Sequence, residues 1–354
     1  MANLEELYAA WQSMQPLKDT DQARLDRKFM LDFNYNSNHI EGNTLTYGQT
    51  EVLLLLGEVV GSAKMKDLEE MKAHALCLNL IMTEARSANP LTEGFIRGLH
   101  QVMLREDHTV YRKSPGGETT SYVIHAGRYK TRPNSVITRT GERFEYASPE
   151  ETPALMHDLV SWYNETDRQG VLSPIELAAL FHYRYIRIHP FEDGNGRMAR
   201  LMVNFILLRH DYPMIVIHSH KKDAYLRALS AADRKTGPVP ADGAHATLDA
   251  IKPFAKYMKD VLTTEISQNI AFIQTRKEQV WWYNGSLVSF RSPNTPKILR
   301  LLSENPRMTI ADLSKSLGIN PSAVQKQLNT LSEKGYIIRE GTPKEWHVII
   351  LSTT

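Results

Sequence analysis

The stretch His189-Pro190-Phe191-Glu192-Asp193-Gly194-Asn195-Gly196-Arg197-Met198-Ala199-Arg200 decides how the rest of the chain is read. It lies between two segments with helical periodicity. Before it, Leu177, Phe181, Tyr185 and Ile188 share one side; after it, Met198, Leu201, Met202 and Phe205 do the same. Its polar residues form a set suited to chemistry on a polyphosphate. His189 can be neutral near pH 7 and accept a proton, and Pro190 stops the preceding helix at that point. Asp193 offers the oxygen ligand that Mg²⁺ prefers, with phosphate and water completing the shell. Gly194, Asn195 and Gly196 allow backbone N–H groups to turn inward at a helix N-terminus, where the macrodipole also favours an anion. Arg197 and Arg200, one turn apart, carry bidentate forks for successive phosphates, and Asn204 continues their face. Nucleotidyl transfer needs this combination: a base, a divalent cation between phosphates, and donors where charge grows.

Upstream, residues to about 110 read as helices. Leu25, Phe29, Phe33 and Ile40 form one stripe over about Asp21 to Glu41, and Gly42-Asn43 supplies the stop. Thr46-Tyr47-Gly48-Gln49 has capping-box spacing, and further helices fit Met65 to Ala88 and Thr92 to Leu104. Between about 110 and 147, Gly116-Gly117, Gly127, Pro133 and Gly141 punctuate short β-prone runs, which reads as a loop with a β-hairpin. Helices resume near Ser148, and Ser173-Pro174-Ile175-Glu176 is a strong helix start.

A long helical region is expected from Leu248 to Tyr283, and Ser292-Pro293-Asn294-Thr295-Pro296 reads as a linker. Beyond it, helices over 298–302, 309–317 and 321–334 and strands over 336–339 and 346–350 follow the order of a winged helix-turn-helix. The fold class expected is mainly α: a helical core with a small β-hairpin, plus a C-terminal winged helix domain. The expected partition is 1–90 for the N-terminal helices, 91–240 for the catalytic core, 241–292 for connecting helices and 293–354 for the winged helix.

A chain of 354 residues, 42% hydrophobic and 23% charged, has the composition of a folded protein of two or three domains. Its one cysteine, Cys77, excludes an internal disulfide framework and sits in an apolar phrase, as a packed core thiol would. Met1-Ala2-Asn3-Leu4-Glu5-Glu6 has no secretory pattern, and apolar runs such as Val52 to Leu56 are too short to span a bilayer, so a cytoplasmic location without membrane contact is expected. No Gly-Lys-Ser or Gly-Lys-Thr phosphate loop occurs, which argues against a P-loop ATPase. His210, His218 and His220 lack nearby acidic or cysteine ligands and read as core or surface histidines. Trp281-Trp282 reads as packing, and Lys221-Lys222 as surface charge.

The twelve-residue stretch matches the signature of Fic-domain proteins at every defining position: His, any, Phe, any, Asp or Glu, Gly-Asn-Gly-Arg, two free positions, Arg. The resemblance implies transfer of AMP from ATP to a Tyr, Thr or Ser hydroxyl of a target protein. It implies His189 as base, Phe191 as the structural anchor of the loop and Asp193 as Mg²⁺ ligand. It further implies Gly194, Asn195 and Gly196 around the α- and β-phosphates, Arg197 on the β-phosphate side and Arg200 on the γ-phosphate. Gly127-Arg128-Tyr129-Lys130-Thr131 with Ser135-Val136-Ile137 resembles the family's flap, which holds an extended target segment by strand addition. Lys130 stands where relatives often have arginine.

Ser37-Asn38-His39-Ile40-Glu41-Gly42 is similar to the family's inhibitory motif, within a helix of about residues 21–42. Ser37 and Glu41, at i and i+4, project together, and a carboxylate beside Arg200 would take the donors that the γ-phosphate needs. Alternatives stay open at this point. The same glutamate serves removal of AMP in some relatives, and other family members transfer UMP, phosphocholine or phosphate. The chain also fits an ATP-sensing, DNA-binding regulator, with the winged helix serving DNA contact, protein contact or a homodimer. From Asn294 onward eight Lys or Arg stand against five Asp or Glu, a balance compatible with DNA.

Overall fold

The computed structural model describes residues 3–113, 119–137, 143–274, 281–283, 286–288, 290, 292–342 and 345–350. In chain order the elements begin with α1 (Leu4–Ser13), α2 (Asp19–Ile40), α3 (Tyr47–Leu56), α4 (Met65–Ala85) and α5 (Glu93–Leu104). Four short strands follow: β1 (His108–Lys113), β2 (Thr119–Ile124), β3 (Ser135–Ile137) and β4 (Arg143–Glu145). Next come α6 (Thr152–Gln169), α7 (Pro174–Ile188), α8 (Asn195–Arg209), α9 (Lys222–Thr236), α10 (Pro240–Ala244) and α11 (Lys252–Gln274). The chain closes with β5 (Trp281–Tyr283), β6 (Ser286–Val288), α12 (Asn294–Glu304), α13 (Ile310–Leu317), α14 (Pro321–Glu333), β7 (Ile337–Thr342) and β8 (Glu345–Ile350).

Two compact units are present: Met1–Ser13, Asn36–Asn43 and Glu69–Ser267 form the first, and Met14–Tyr35, Thr44–Leu68 and Gln268–Thr354 the second. In the first unit α7 and α8 pack against each other, with α6 and α10 against α7. Both helices are buried nearly all round, as central helices must be. Phe181, Tyr185, Ile188, Met198, Leu201 and Phe205 are all fully enclosed. At roughly 1.5–3 kcal/mol per enclosed side chain, this packing holds the loop between the two helices from both sides. α7 opens on the expected box, Ser173 donating its N–H to Glu176 Oε2 at 3.0 Å. Cys77 is buried, and burial pushes its thiol up to about 12, as an inert core residue requires.

In the second unit, Ile298, Leu299, Leu302, Leu313, Val324, Leu328, Leu331, Ile337 and Val348 form the core of the winged helix. Thr309 caps α13 through a box with Asp312, Gly318 ends that helix at φ 63°, and β7 pairs antiparallel with β8.

The structure corrects three extents. The long helix stops at Gln274, and Trp281–Tyr283 is a strand paired with Ser286–Val288; the side chains of Trp281 and Trp282 lie outside the described residues. The expected linker is already helical from Asn294, with Pro296 in the first turn, where a missing N–H carries little cost. The 110–147 region holds two ribbons, β1–β2 and β3–β4, where one hairpin was expected. Among the described residues no helix is long and apolar enough to cross a membrane.

Candidate functional site

His189 is the C-cap of α7 and adopts φ 52°, a left-handed turn that swings the chain out of the helix while its N–H still reaches Tyr185 O at 2.9 Å. Its ring stacks on Tyr146 at 3.9 Å between centroids. Burial pushes its pKa down to about 4, helped by the Lys130 charge and opposed by the Ile186 carbonyl and the charges of Glu41 and Asp193. The imidazole is therefore neutral across the physiological range and free to accept a proton.

Phe191 is fully enclosed, its ring 3.7 Å from that of His100 and almost parallel. Asn195 clamps the same loop: its Nδ2 donates to Phe191 O at 2.7 Å, and its Oδ1 accepts from Phe191 N–H at 3.0 Å. His100 is held neutral by burial, its pKa lowered to about 4. Its Nε2 meets the Asp193 carbonyl at 3.1 Å and its Nδ1 the Gly127 N–H at 3.0 Å, so Nε2 carries the proton.

Gly194 caps α8 at φ 78°, which only glycine adopts without strain, and the first intrahelical bond runs from Met198 N–H to Gly194 O. The amides of Asn195, Gly196 and Arg197 thus open the helix and form a ready anion seat. Asp193 turns Oδ1 to the Gly194 N–H at 2.7 Å, while its side chain stays 44% exposed with Oδ2 at 3.7 Å from Arg197 Nη2. An exposed hard oxygen beside an anion seat fits Mg²⁺, which takes one or two carboxylates and fills its shell from phosphates and water.

Arg200 is 3% exposed and directed at the end of α2. Its Nε donates to Ser37 Oγ at 3.0 Å, and its Nη2 donates to Ser37 O at 2.8 Å and Glu41 Oε1 at 2.7 Å. The Ser37 carbonyl is available because the turn tightens: Glu41 N–H bonds Asn38 O, as does Asn43 N–H, around Gly42 at φ 97°. Desolvation works against the Glu41 charge, but Arg200, Arg197 and Lys222 together outweigh it and hold the carboxyl below its ordinary value. A β-carbon on Gly196 would lie 2.3 Å from Glu41 Oε1, so the carboxylate rests directly on the anion seat. Lys222 is more than surface charge, since its Nζ donates to Ile40 O at 2.6 Å and caps α2. Ser219 N–H adds a bond to Asn36 Oδ1 at 2.9 Å.

The flap expectation needs correcting. The β3–β4 ribbon pairs Ser135 with Glu145 and Ile137 with Arg143, so Gly127–Thr131 is not its partner strand. Gly127 instead packs on α5, where its φ of 72° and the nearby Gln101 and Arg97 leave no room for a side chain. Tyr129 donates its hydroxyl to Glu93 at 2.8 Å, and Arg128 is exposed. Lys130 is buried beneath the motif, out of reach of any target. The side chains of Val136 and Ile137 lie outside the described residues. His218 and His210 pair with Glu265 at 3.5 Å and Asp167 at 2.7 Å, in keeping with ordinary packed or surface histidines.

The structure thus gathers His189, Asp193 to Arg200, Ser37 and Glu41 into one unit. Sequence reading missed His100, Asn134 and Lys222 and misplaced Lys130. Each is a polar residue whose partner lies far away in the chain, His100 within α5 and Lys222 at the start of α9 among them, and only the fold brings the two together.

The chain belongs to the Fic family. The Fic/DOC family profile matches residues 90–207, and a winged helix-turn-helix DNA-binding profile matches 291–338. A Fic domain containing signaling protein from Bacteroides thetaiotaomicron is 53% identical and superposes at a TM-score of 0.73 over 78% of this chain and 98% of that one. Fic-1 from C. elegans is 26% identical at a TM-score of 0.58, covering 77% of this chain and 72% of that one. Protein adenylyltransferase fic-1 of Caenorhabditis briggsae is 25% identical over 271 residues, 77% of this chain and 46% of its own. The chain spans about half the length of the curated relatives it matches.

Proposed function

We propose that this protein transfers AMP from ATP to a hydroxyl side chain of a target protein, releasing pyrophosphate, and that Glu41 restrains it. The observation that carries this reading is a neutral His189 beside the open N-terminus of α8, with Arg197 and Arg200 behind it. In the reaction His189 accepts the proton of the attacking hydroxyl as the new P–O bond forms at the α-phosphorus and the bond to pyrophosphate breaks. The α8 amides receive the charge growing on the phosphate oxygens, and Arg197 and Arg200 hold the departing pyrophosphate. Asp193 would hold Mg²⁺, which would supply positive charge to offset that of the phosphates. The β3 edge away from β4 suits an extended target segment, with Tyr, Thr or Ser as acceptor.

The restraint follows from competition. Glu41 takes an Arg200 donor that the γ-phosphate needs, at about 1.5–3 kcal/mol for a charge-assisted bond. Each 1.4 kcal/mol is about tenfold, so Glu41→Gly should raise AMP transfer roughly ten- to a hundredfold. His189→Ala should abolish it. Incubation with α-labelled ATP and Mg²⁺, followed by counting label on the protein and on lysate proteins, checks both. Equal labelling by the parent and His189→Ala would sink the assignment; label lost from premodified target only when Glu41 is present would reassign the site to AMP removal.

The C-terminal helices support a second contact, with DNA. α14 exposes Ser322, Lys326 and Asn329, with Asn320 capping its start. A mobility shift with mixed duplex DNA should weaken steeply between 50 and 200 mM salt, on the order of tenfold or more, and weaken further for Lys326→Ala. Binding that ignores salt would favour a protein-contact or dimerisation role.

A further inference from the structure

We propose that Lys130 is a positioning residue for His189, gathering the last carbonyls of α7 so that the chain makes the left-handed turn presenting the imidazole. The proposal rests on the AMP-transfer reading for its kinetic consequence. Lys130 Nζ donates to Ile188 O and to His189 O, each at 2.9 Å. Its own backbone N–H donates to Pro190 O at 2.9 Å. One residue therefore engages three successive carbonyls. Neighbours continue the series: Asn134 Nδ2 donates to Phe191 O at 2.8 Å, and His100 Nε2 to Asp193 O at 3.1 Å. Thr131 Oγ1 donates to Glu192 Oε1 at 3.0 Å.

The arrangement answers a specific physical demand. A helix end leaves its final carbonyls without partners. Here that end lies in the interior, with Ile188 fully enclosed and Lys130 only 3% exposed, so water cannot serve them all. His189 also carries a β-carbon at φ 52°, a conformation that persists only where the surroundings over-determine it. The ammonium, presenting three donors at the negative end of the α7 dipole, meets both demands. Burial lowers Lys130 to about 8, opposed by the Glu151 charge, so it is cationic at neutral pH and its charge helps keep His189 neutral.

The test uses the full chain carrying Glu41→Gly, with Lys130→Met, Lys130→Gln and Lys130→Arg added singly. Lys130→Met keeps the apolar stem and the backbone bond to Pro190 O but loses every side-chain donor. It should lower kcat for AMP transfer about 10- to 100-fold, because small misplacement of a catalytic group has effects of that order. KM for ATP should stay within about threefold, since the phosphate seat is untouched. Lys130→Arg should recover most of the rate, and Lys130→Gln should fall between. The His189 ring signals in NMR, identified by their loss in His189→Ala, should titrate nearer the ordinary histidine value in Lys130→Met and stay as in the parent in Lys130→Arg. Unchanged kcat in Lys130→Met overturns the proposal, as does a rise in KM matching the loss of kcat, or an arginine variant as poor as methionine. If Lys130→Met does not fold, Lys130→Gln carries the same comparison. If the Glu41→Gly parent transfers no AMP, the functional reading fails by itself. The His189 titration then decides on Lys130, and an unmoved titration rejects it.

Discussion

At the scale of single residues, Gly243 illustrates how tightly the interior is committed. A β-carbon there would lie 2.4 Å from Arg187 Cζ. Arg187 cannot give way, being 1% exposed and bonded to Tyr183 Oη at 3.0 Å, Thr236 Oγ1 at 2.8 Å, Gly237 O at 3.0 Å and Val239 O at 2.8 Å. Gly243→Ala is therefore expected to destabilise the protein by about 1–3 kcal/mol, read as a lower Tm, through overpacking. An unchanged Tm would mean that α10 can lift from α7. Nothing in the sequence around Gly243 announces this. Its neighbours Pro240, Ala241 and Asp242 give no hint of it, because the reason for the glycine is an arginine 56 positions earlier. The motif residues were legible because their chemistry is local: a helix end, a glycine-flanked amide and two arginines one turn apart. Ser37 and Glu41 were legible by their own spacing and by resemblance, with Arg200 as the expected partner.

At the scale of elements, helices with chemical punctuation were read well. Thr46 and Gln49 exchange bonds at 3.2 and 3.0 Å, and α3 starts where their spacing places it. Thr92 accepts from Phe95 N–H at 3.0 Å, and α5 follows at once. Where punctuation is absent the reading overran. Helical periodicity carried the expectation through to Tyr283, although the aromatic run Trp281-Trp282-Tyr283 suits a strand better than a helix. The Gly127–Thr131 segment failed differently. It looks β-like, but the positive φ at Gly127 and the commitment of its amide to His100 make it a strap across the motif loop. The strand pairs β1–β2 and β3–β4 are local, but the sequence between their strands has no Asn-Gly or Asp-Gly pair that would announce two separate ribbons or their register.

At the scale of the whole molecule, the buried histidines set how stability depends on pH. Burial lowers His100 to about 4, His182 to about 3 and His189 to about 4, against 6.5 for an exposed ring. Each depressed value means that the unfolded chain binds a proton which the folded chain refuses. The stability involved is fully present above about pH 6.5 and is lost as pH falls toward 4. These three groups alone bring the slope toward roughly 4 kcal/mol per pH unit in that window, and His74, which burial also pushes down, steepens it. Denaturant unfolding at pH 7.5, 6 and 5 should show the midpoint falling steadily below 6.5, and a flat midpoint down to pH 5 would contradict the burial assignments. All three rings lie in the unit that holds the motif, so that unit should yield first to acid.

The bonds between Ser37 and Arg200 do not pass through Glu41. Two of the guanidinium nitrogens are tethered to the serine, and only one of the three bonds described ends on the carboxylate. On the proposed reading, lifting the restraint exchanges a single occupant at one corner of an otherwise anchored group. The arginine would greet an incoming phosphate already aimed, with little reorganisation left to perform. On that same reading Ser37 would act as scaffold in both states, and the restrained form would double as a rehearsal of the active one.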